Sequence, residues 1–177
     1  MKKFELTREF ITFLGRKLFR IKALVEFGDV KAGELGGYVE KEENINHEGN
    51  AWVYGNARVY GDARVSGDAR VYGNARVSGD AWVYGNARVY GDALVVKQED
   101  IIFTAAKFGT IFRTTTAYRT TDGVQINCGC FSGNLEEFRE QITQTREGRM
   151  REKYLHHADE IEMYFDLDLE KEEKEGE

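Results

Sequence analysis

The chain has 177 residues, of which 41% are hydrophobic and 32% charged, and this composition suits one compact domain or a small repeat array with end modules. Its formal net charge is −6, and the negative charge is concentrated in residues 159–177, which contain ten acidic residues and two lysines. The rest of the chain carries a net charge of +2, which excludes a strongly basic nucleic-acid-binding surface. The two cysteines exclude a disulfide framework, and no apolar run approaches the roughly 18 residues needed to span a bilayer.

Residues 1–34 predict an N-terminal β cap. The first nine residues lack the apolar core of a signal peptide, so we expect a cytoplasmic protein. Two apolar-rich runs, 10–14 and 18–24, are separated by Gly15-Arg16-Lys17, a pattern typical of a β-hairpin. Such a hairpin would cover the open sheet edge at the start of the repeat array that follows.

Residues 35–96 contain a six-residue repeat. Glycine recurs at every sixth position from Gly49 to Gly91, with alanine two residues after each glycine and valine four residues after it. An α-helix would scatter these positions around its circumference, because six is not a multiple of 3.6. A short strand and a bend in each hexad instead place every valine and alanine inside and Tyr, Ser, Arg and Trp outside. The repeat therefore predicts a mainly β fold, a parallel β-helix with coils about 4.8 Å apart.

The bends and the start of the array carry further expectations. Gly and the following Asn or Asp are expected at the bends, where both residue types tolerate a positive φ. Before the regular repeats, we expect Leu35 and Val39 to point inward and Ile45 to continue the array. His47 would then take a valine position.

The unit Val-(Tyr/Ser)-Gly-(Asn/Asp)-Ala-(Arg/Trp) resembles the repeat of left-handed β-helices in hexapeptide-repeat proteins, although its glycine stands one position later than in their usual pattern. The resemblance implies a left-handed coil with three hexads in each 18-residue turn. It also implies a homo-oligomer, with a trimer favoured, because β-helices of this kind commonly trimerise.

An 18-residue turn would bring repeat side chains into columns on the surface. Tyr54, Tyr72 and Tyr90 would form one column, with Arg58 and Arg76 beside it. These columns are either solvated ladders that stabilise the stacked strands or an interface between chains. Exposed rows of tyrosine and arginine are typical of contact surfaces, so this face is the best candidate for the interface.

Residues 97–165 predict a small C-terminal α+β module. Three strands are expected, at 101–105, 110–120 and 124–128. Asn134 and Glu137 have the spacing of a capping box at the start of a helix, and a second helix is expected over 150–165. Residues 166–177 predict a disordered acidic tail.

The order of these parts resembles a phage and prophage family of hexapeptide-repeat proteins. The resemblance rests on Leu35-Gly36-Gly37-Tyr38, on the Tyr-Gly-Asn-Ala repeats, and on the segment Cys128-Gly129-Cys130-Phe131-Ser132-Gly133. It covers almost the whole chain and implies a phage-encoded protein located in the cytosol of the host cell. It implies no particular activity.

Hexapeptide-repeat acyltransferases are the closest enzyme analogy, and they use a histidine base on or beside the coils. Residues 49–94 contain no histidine and no inserted loop. His47 lies at the edge of the array, where packing in the first coil is the favoured role. We therefore predict no catalytic residue and no cofactor, and we favour a protein that is not an enzyme.

Two further sets of residues are candidates for binding sites. Cys128 and Cys130 would share one face of a strand and could bind zinc with His156 and His157, but packing is favoured, because the spacing differs from that of a zinc knuckle; no metal site is predicted. The second set, on one strand face, could bind a phosphate or carboxylate, or could be a solvated face. It consists of Arg113, Thr115 and Arg119.

Three functional hypotheses remain. The first is a non-catalytic oligomeric β-helix scaffold or binding protein, phage-encoded, whose C-terminal module engages a host or viral partner. The second is a binder of a small anionic, nucleotide-like ligand that sequesters a host signalling molecule. The third is a relative of the hexapeptide-repeat acyltransferases. Nucleic acid and membranes are not expected as partners.

Overall fold

The computed structural model describes residues 1–106 and 113–167. The chain divides into two compact units. The first comprises residues 1–101 together with 118–121, and the second comprises residues 102–117 and those from 122 onward. Most of the predicted acidic tail, and the start of the strand expected at 110–120, lie outside the described residues. No helix in the described part of the chain is long and apolar enough to cross a membrane.

The chain begins with a β-hairpin that joins the first sheet of the solenoid. Strands β1 (Phe4–Phe13) and β2 (Arg16–Ala23) are antiparallel, and β2 also pairs with β3 (Leu35–Val39). The turn between β1 and β2 is Leu14-Gly15, and both residues have a positive φ, which matches the twist of a tight hairpin. The predicted hairpin is therefore present, with a longer first strand and a shorter turn than expected.

Residues 52–95 form a β-solenoid of about three turns from two-residue strands. These are β4 (Trp52–Val53), β5 (Arg58–Val59), β6 (Arg64–Val65), β7 (Arg70–Val71), β8 (Arg76–Val77), β9 (Trp82–Val83), β10 (Arg88–Val89) and β11 (Leu94–Val95). Each of the strands β4 to β8 pairs in parallel with the strand 18 residues further along the chain. The pairing defines three faces: face 1 is β3, β5, β8 and β11; face 2 is β4, β7 and β10; face 3 is β6 and β9.

The inside of the solenoid contains the side chains that the repeat predicts. Every alanine from Ala51 to Ala93 and every valine from Val53 to Val95 in the repeat is at most 1% exposed. Because adjacent coils stack in register, each valine packs under the equivalent valine of the next coil. The prediction that each hexad directs its alanine and its valine inward is confirmed.

Glycine is required at the bends, but Asn and Asp act there in a different way than expected. Gly79 has a φ of +61°, and a Cβ there would overlap the carbonyl oxygen of Val96. The Asn or Asp after each bend glycine does not take a positive φ. Two pairs of these side chains hydrogen-bond between coils instead: the Asn50 amide donates to Asp68 Oδ1 at 2.8 Å, and the Asn74 amide donates to Asp92 Oδ1 at 3.3 Å.

The first coil departs from the 18-residue period. Tyr38 pairs with Arg58 and Ile45 with Val65, so this coil is two residues longer. The prediction that His47 takes a valine position is wrong, because Ile45 takes it and His47 lies in the two-residue insertion. Leu35, expected inside, is 48% exposed.

Two aromatic side chains expected on the surface are buried. Trp52 is fully buried, because Phe4 and Phe27 of the N-terminal segment pack edge-on against it, with ring centroids at 6.0 and 5.4 Å. Tyr60 is 9% exposed beneath Phe13. The repeat places both residues on the outside of the coil, and the N-terminal segment then covers them.

The C-terminal part of the chain, from residue 101 onward, combines a four-stranded sheet with two helices. The sheet order is β12-β13-β14-β15, from β12 (Ile101–Ala106), β13 (Arg113–Thr120), β14 (Gly123–Cys128) and β15 (Phe131–Gly133), and the helices are α1 (Leu135–Thr145) and α2 (Gly148–Tyr164). The capping box at α1 is confirmed, because the Asn134 side chain accepts from the Glu137 N–H and the Glu137 carboxylate accepts from the Asn134 N–H, both at 2.9 Å. Strand β15 was not predicted, since three residues show no periodicity.

Candidate functional site

Face 1 carries two of the predicted interface residues, and the hairpin contacts both. The ring of Phe13 lies 4.4 Å from the Arg58 guanidinium and 5.4 Å from that of Arg76. Such cation–π contacts stabilise the hairpin against the solenoid. Arg58 and Arg76 therefore have partners within their own chain, and their role between chains stays a prediction.

The predicted tyrosine column is present at the edge of face 2. The ring centroids of Tyr54 and Tyr72 are 6.0 Å apart and edge-on, and those of Tyr72 and Tyr90 are 5.0 Å apart and stacked. All three side chains are half-buried, and burial raises the pKa of Tyr54 to about 12. Asp29 accepts hydrogen bonds from the Tyr54 hydroxyl at 3.1 Å and from Arg70 at 2.6 Å. The column is an internal ladder; its use as an interface stays a prediction.

Face 3 presents the largest exposed aromatic surface of the solenoid strands. Trp82 on β9 is 49% exposed, and its strand neighbour Arg64 on β6 is also exposed. Between these strands and the first coil lies a groove of about 340 Å³. This aromatic groove is lined by Glu42, Glu43, Ile45, Asn46, His47, Arg64, Val65, Ser66 and Trp82.

The orientation of the Trp82 ring is fixed by its neighbours. Its indole N–H donates to Ser66 Oγ at 2.9 Å, and its backbone N–H donates to Gln98 Oε1 at 3.0 Å. The ring also packs against Tyr84, with centroids 4.9 Å apart. Because the polar edge of the indole is satisfied within the chain, the exposed part of the ring is an apolar surface held in one position.

The charged groups around the aromatic groove balance one another. Glu42 pairs with Lys2 at 2.6 Å. The side chains of Glu43 and Arg64, which carry opposite charges, make no hydrogen bond or salt bridge with any described residue. The groove therefore has little net charge and offers both a hydrogen-bond acceptor and a donor.

His47 forms part of the groove wall and is committed to contacts within the chain. Its Nδ1 accepts the backbone N–H of Lys3 at 3.1 Å, and its ring stacks on Phe4 at 4.5 Å. The neutral ring therefore carries its proton on Nε2, which lies 3.8 Å from a Glu42 carboxylate oxygen. This arrangement agrees with the packing role that the sequence favoured.

Two of the three residues predicted to bind an anion have other partners in the structure. Thr115 is buried, and its hydroxyl donates to Cys128 Sγ at 3.3 Å. Arg119 Nε lies 3.9 Å from Asp100 Oδ1. The side chain of Arg113 lies outside the described residues. A buried and bonded hydroxyl offers no direct contact to a dissolved phosphate, so Thr115 does not support the anion site.

The cysteines and the paired histidines are arranged differently than expected. Cys128 is buried at the end of β14, whereas Cys130 is exposed in the turn that Gly129 begins with a φ of +64°. The prediction that both cysteines share a strand face is therefore wrong. His157 is buried and contacts Glu160 at 3.0 Å. Among the described residues, no group of three or more His, Cys, Asp or Glu side chains could hold a metal ion.

The 18-residue period of the sequence brings Arg64 and Trp82 together on one face, but no sequence pattern selects them as a site. The aromatic groove includes residues of the first coil, where a two-residue insertion after Ile45 shifts the register. The available signal was the spacing from Ile45 to Val53, which is eight residues instead of six.

Comparison with known families identifies the repeat region as a β-solenoid. The particular family model that matches is the YdcK beta solenoid repeat, at residues 51–67, 57–71, 69–85 and 81–96. These matches cover the regular coils and neither end module. No curated protein matches the chain.

Proposed function

We propose that the chain is a non-catalytic β-solenoid binding protein and that the aromatic groove on face 3 is its binding surface. The observation that carries this proposal is the contrast between the two tryptophans. Trp52 on face 2 is fully buried, whereas Trp82 on face 3 is half exposed and held rigidly. Rigid, exposed aromatic side chains beside charged groups are typical of contact surfaces.

The positions of the three histidines support a non-catalytic role. His47 Nδ1 is occupied by a backbone N–H, and His157 is buried against Glu160. His156 is exposed and lies 3.6 Å from the same glutamate. A general base needs an unprotonated ring nitrogen directed at a substrate, whereas the nitrogen that His47 leaves at the aromatic groove is Nε2, which carries the proton of the neutral ring because Nδ1 is occupied. The acyltransferase hypothesis is therefore less well supported.

The proposal includes finer features of the architecture. The coil is left-handed, the hairpin caps the first coil, and the protein is a homotrimer encoded by a phage and active in the cytosol of the host. The pairing of β2 with β3 supports a cap, because it occupies a sheet edge that would otherwise be open. The continuous tyrosine column supports self-association, since rows of aromatic side chains suit symmetric contacts.

A photoreactive residue tests the binding surface. Replacement of Trp82 by p-benzoylphenylalanine places a cross-linker in the groove, and the same replacement of Arg88 on face 2 is the matched control. In host extract, irradiation is expected to give a defined adduct from position 82 that is absent from position 88. Equal labelling from the two positions, or no adduct from position 82, would reject the groove as the binding surface.

A further inference from the structure

The exposed Trp82 ring has the properties of a stacking platform. Its N–H is bonded to Ser66, so a ligand that meets the ring meets carbon and π electrons, with no polar edge to satisfy. About half of the residue is accessible. The C–H face of a pyranose ring is a flat, weakly polar partner for such a surface, whereas its hydroxyl groups point outward around the rim.

Polar groups of both kinds surround this platform. Glu43 supplies a carboxylate acceptor and Arg64 a guanidinium donor, and neither of these two charged groups is hydrogen-bonded to a described residue. Asn46 accepts the Glu48 N–H through its oxygen, which leaves its NH₂ to donate. The Ser66 oxygen accepts from the indole and leaves the hydroxyl proton to donate. A sugar hydroxyl both donates and accepts, so it can pair with any of these groups.

The charge balance of the aromatic groove argues against an ionic ligand. Glu42 is paired with Lys2, and Asp62 is paired with Lys41, which lowers the pKa of Asp62. A phosphate near Arg64 would face the carboxylate of Glu43, and a cation near Glu43 would face the guanidinium. The free-energy cost of partly removing water from such a charged ligand would not be offset by a net opposite charge in the groove.

We infer that the aromatic groove binds a neutral saccharide, with one sugar ring stacked on Trp82 and its hydroxyls bonded to Glu43 and Arg64. The volume of about 340 Å³ lies at the low end of ligand sites, roughly 300–1,000 Å³, and suits one or two sugar rings. This inference rests on the proposed function, since it names the chemistry of the ligand for the same surface.

Titration of the full chain with small probes tests the inference. The probes are methyl glucoside, methyl galactoside, N-acetylglucosamine, maltose and cellobiose, with inorganic phosphate and choline as charged comparisons. Trp82 fluorescence and saturation-transfer NMR are recorded for each. At least one saccharide is expected to give a saturable response, and neither charged probe is. Trp82→Ala should weaken saccharide binding at least tenfold, Trp82→Phe should retain part of it, and Arg88→Ala should leave it unchanged.

The outcomes separate the ligand class from the proposed function. A saturable response to phosphate or choline, without one to any saccharide, overturns the inference that the ligand is a saccharide. The groove then remains a binding surface. No response to any probe, together with a photo-adduct from position 82, also overturns the saccharide inference but not the proposed binding surface. No response and no adduct overturn both. If Trp82→Ala fails to fold, Trp82→Phe and Glu43→Gln still decide, because unchanged saccharide affinity in both variants contradicts the assignment.

Discussion

Asn44 and Asp100 occupy corresponding positions at the two ends of the solenoid, where no further coil is stacked. The side chain of Asn44 donates hydrogen bonds to the end coil, whereas the side chain of Asp100 accepts them. Each is the third residue of a 3₁₀ turn, and each is buried. The Asn44 NH₂ donates to the carbonyls of Gly61 and Ala63 at 3.2 and 2.8 Å. Asp100 Oδ2 accepts the backbone N–H of Val96 at 2.8 Å. Elsewhere in the array, backbone groups of the adjacent coil make these bonds.

The substitutions Asn44→Asp and Asp100→Asn are expected to lower the free energy of unfolding by unequal amounts. Asn44→Asp removes a donor and directs a carboxylate at two carbonyl oxygens, so we expect a loss of at least about 2 kcal/mol in the free energy of unfolding. Asp100→Asn retains an acceptor oxygen and should cost about 1 kcal/mol or less. Urea unfolding of the two variants measures the difference. Equal losses would show that the ends do not distinguish donors from acceptors.

The buried amine of Lys3 predicts a pH dependence of stability. Lys3 Nζ donates to the carbonyls of Gly49 and Ala51 at 3.2 and 2.9 Å, and burial lowers its pKa from 10.5 to about 8. Between pH 8 and 10.5 the unfolded chain therefore binds more protons at this group, and its contribution to stability rises with pH.

The measurement compares the native chain with Lys3→Met at several pH values. The difference in unfolding free energy between the two should shift in favour of the native chain by up to about 3 kcal/mol between pH 8 and 10.5, and should be constant below pH 8. A difference that is flat across this range, or that shifts in the opposite direction, would contradict the lowered pKa.

Two bend glycines with nearly equal backbone angles separate steric overlap from backbone strain. Gly79 and Gly85 have φ values of +61° and +62°, but only at Gly79 would a Cβ overlap a backbone atom, the Val96 oxygen. Gly85→Ala should cost about 1–2 kcal/mol from the left-handed conformation alone. Gly79→Ala should cost clearly more in the same thermal unfolding experiment. Equal costs would mean that the coils separate easily at this bend.

Self-association through the tyrosine column is tested by solution mass. Light scattering is expected to give a mass of three chains, and Tyr72→Asp should lower it, because the substitution places a charge within the column. Arg64→Ala on face 3, which does not carry the column, is the control and should retain the native mass. A native chain that stays monomeric at high concentration would eliminate the trimer.

The regular coils could be predicted because each hexad repeats the same local rule, and residues such as Val65 and Val83 follow it without outside influence. The residues whose burial was predicted wrongly are those that contact another part of the chain. Trp52 is buried only because Phe4 and Phe27 reach it, and no repeat pattern records that contact. The aromatic groove likewise includes His47 and its neighbours, where an insertion shifts the register of the first coil, and that shift is visible only when the coils are stacked.

Acrylamide quenching of the two tryptophans tests the central claim most directly. In Trp52→Phe only the groove tryptophan emits, and in Trp82→Phe only the buried one does. We expect strong quenching of Trp82, near absence of quenching of Trp52, and protection of Trp82 when a saccharide is bound. Equal quenching of both, or quenching of Trp82 that no bound ligand reduces, would contradict a binding groove on face 3.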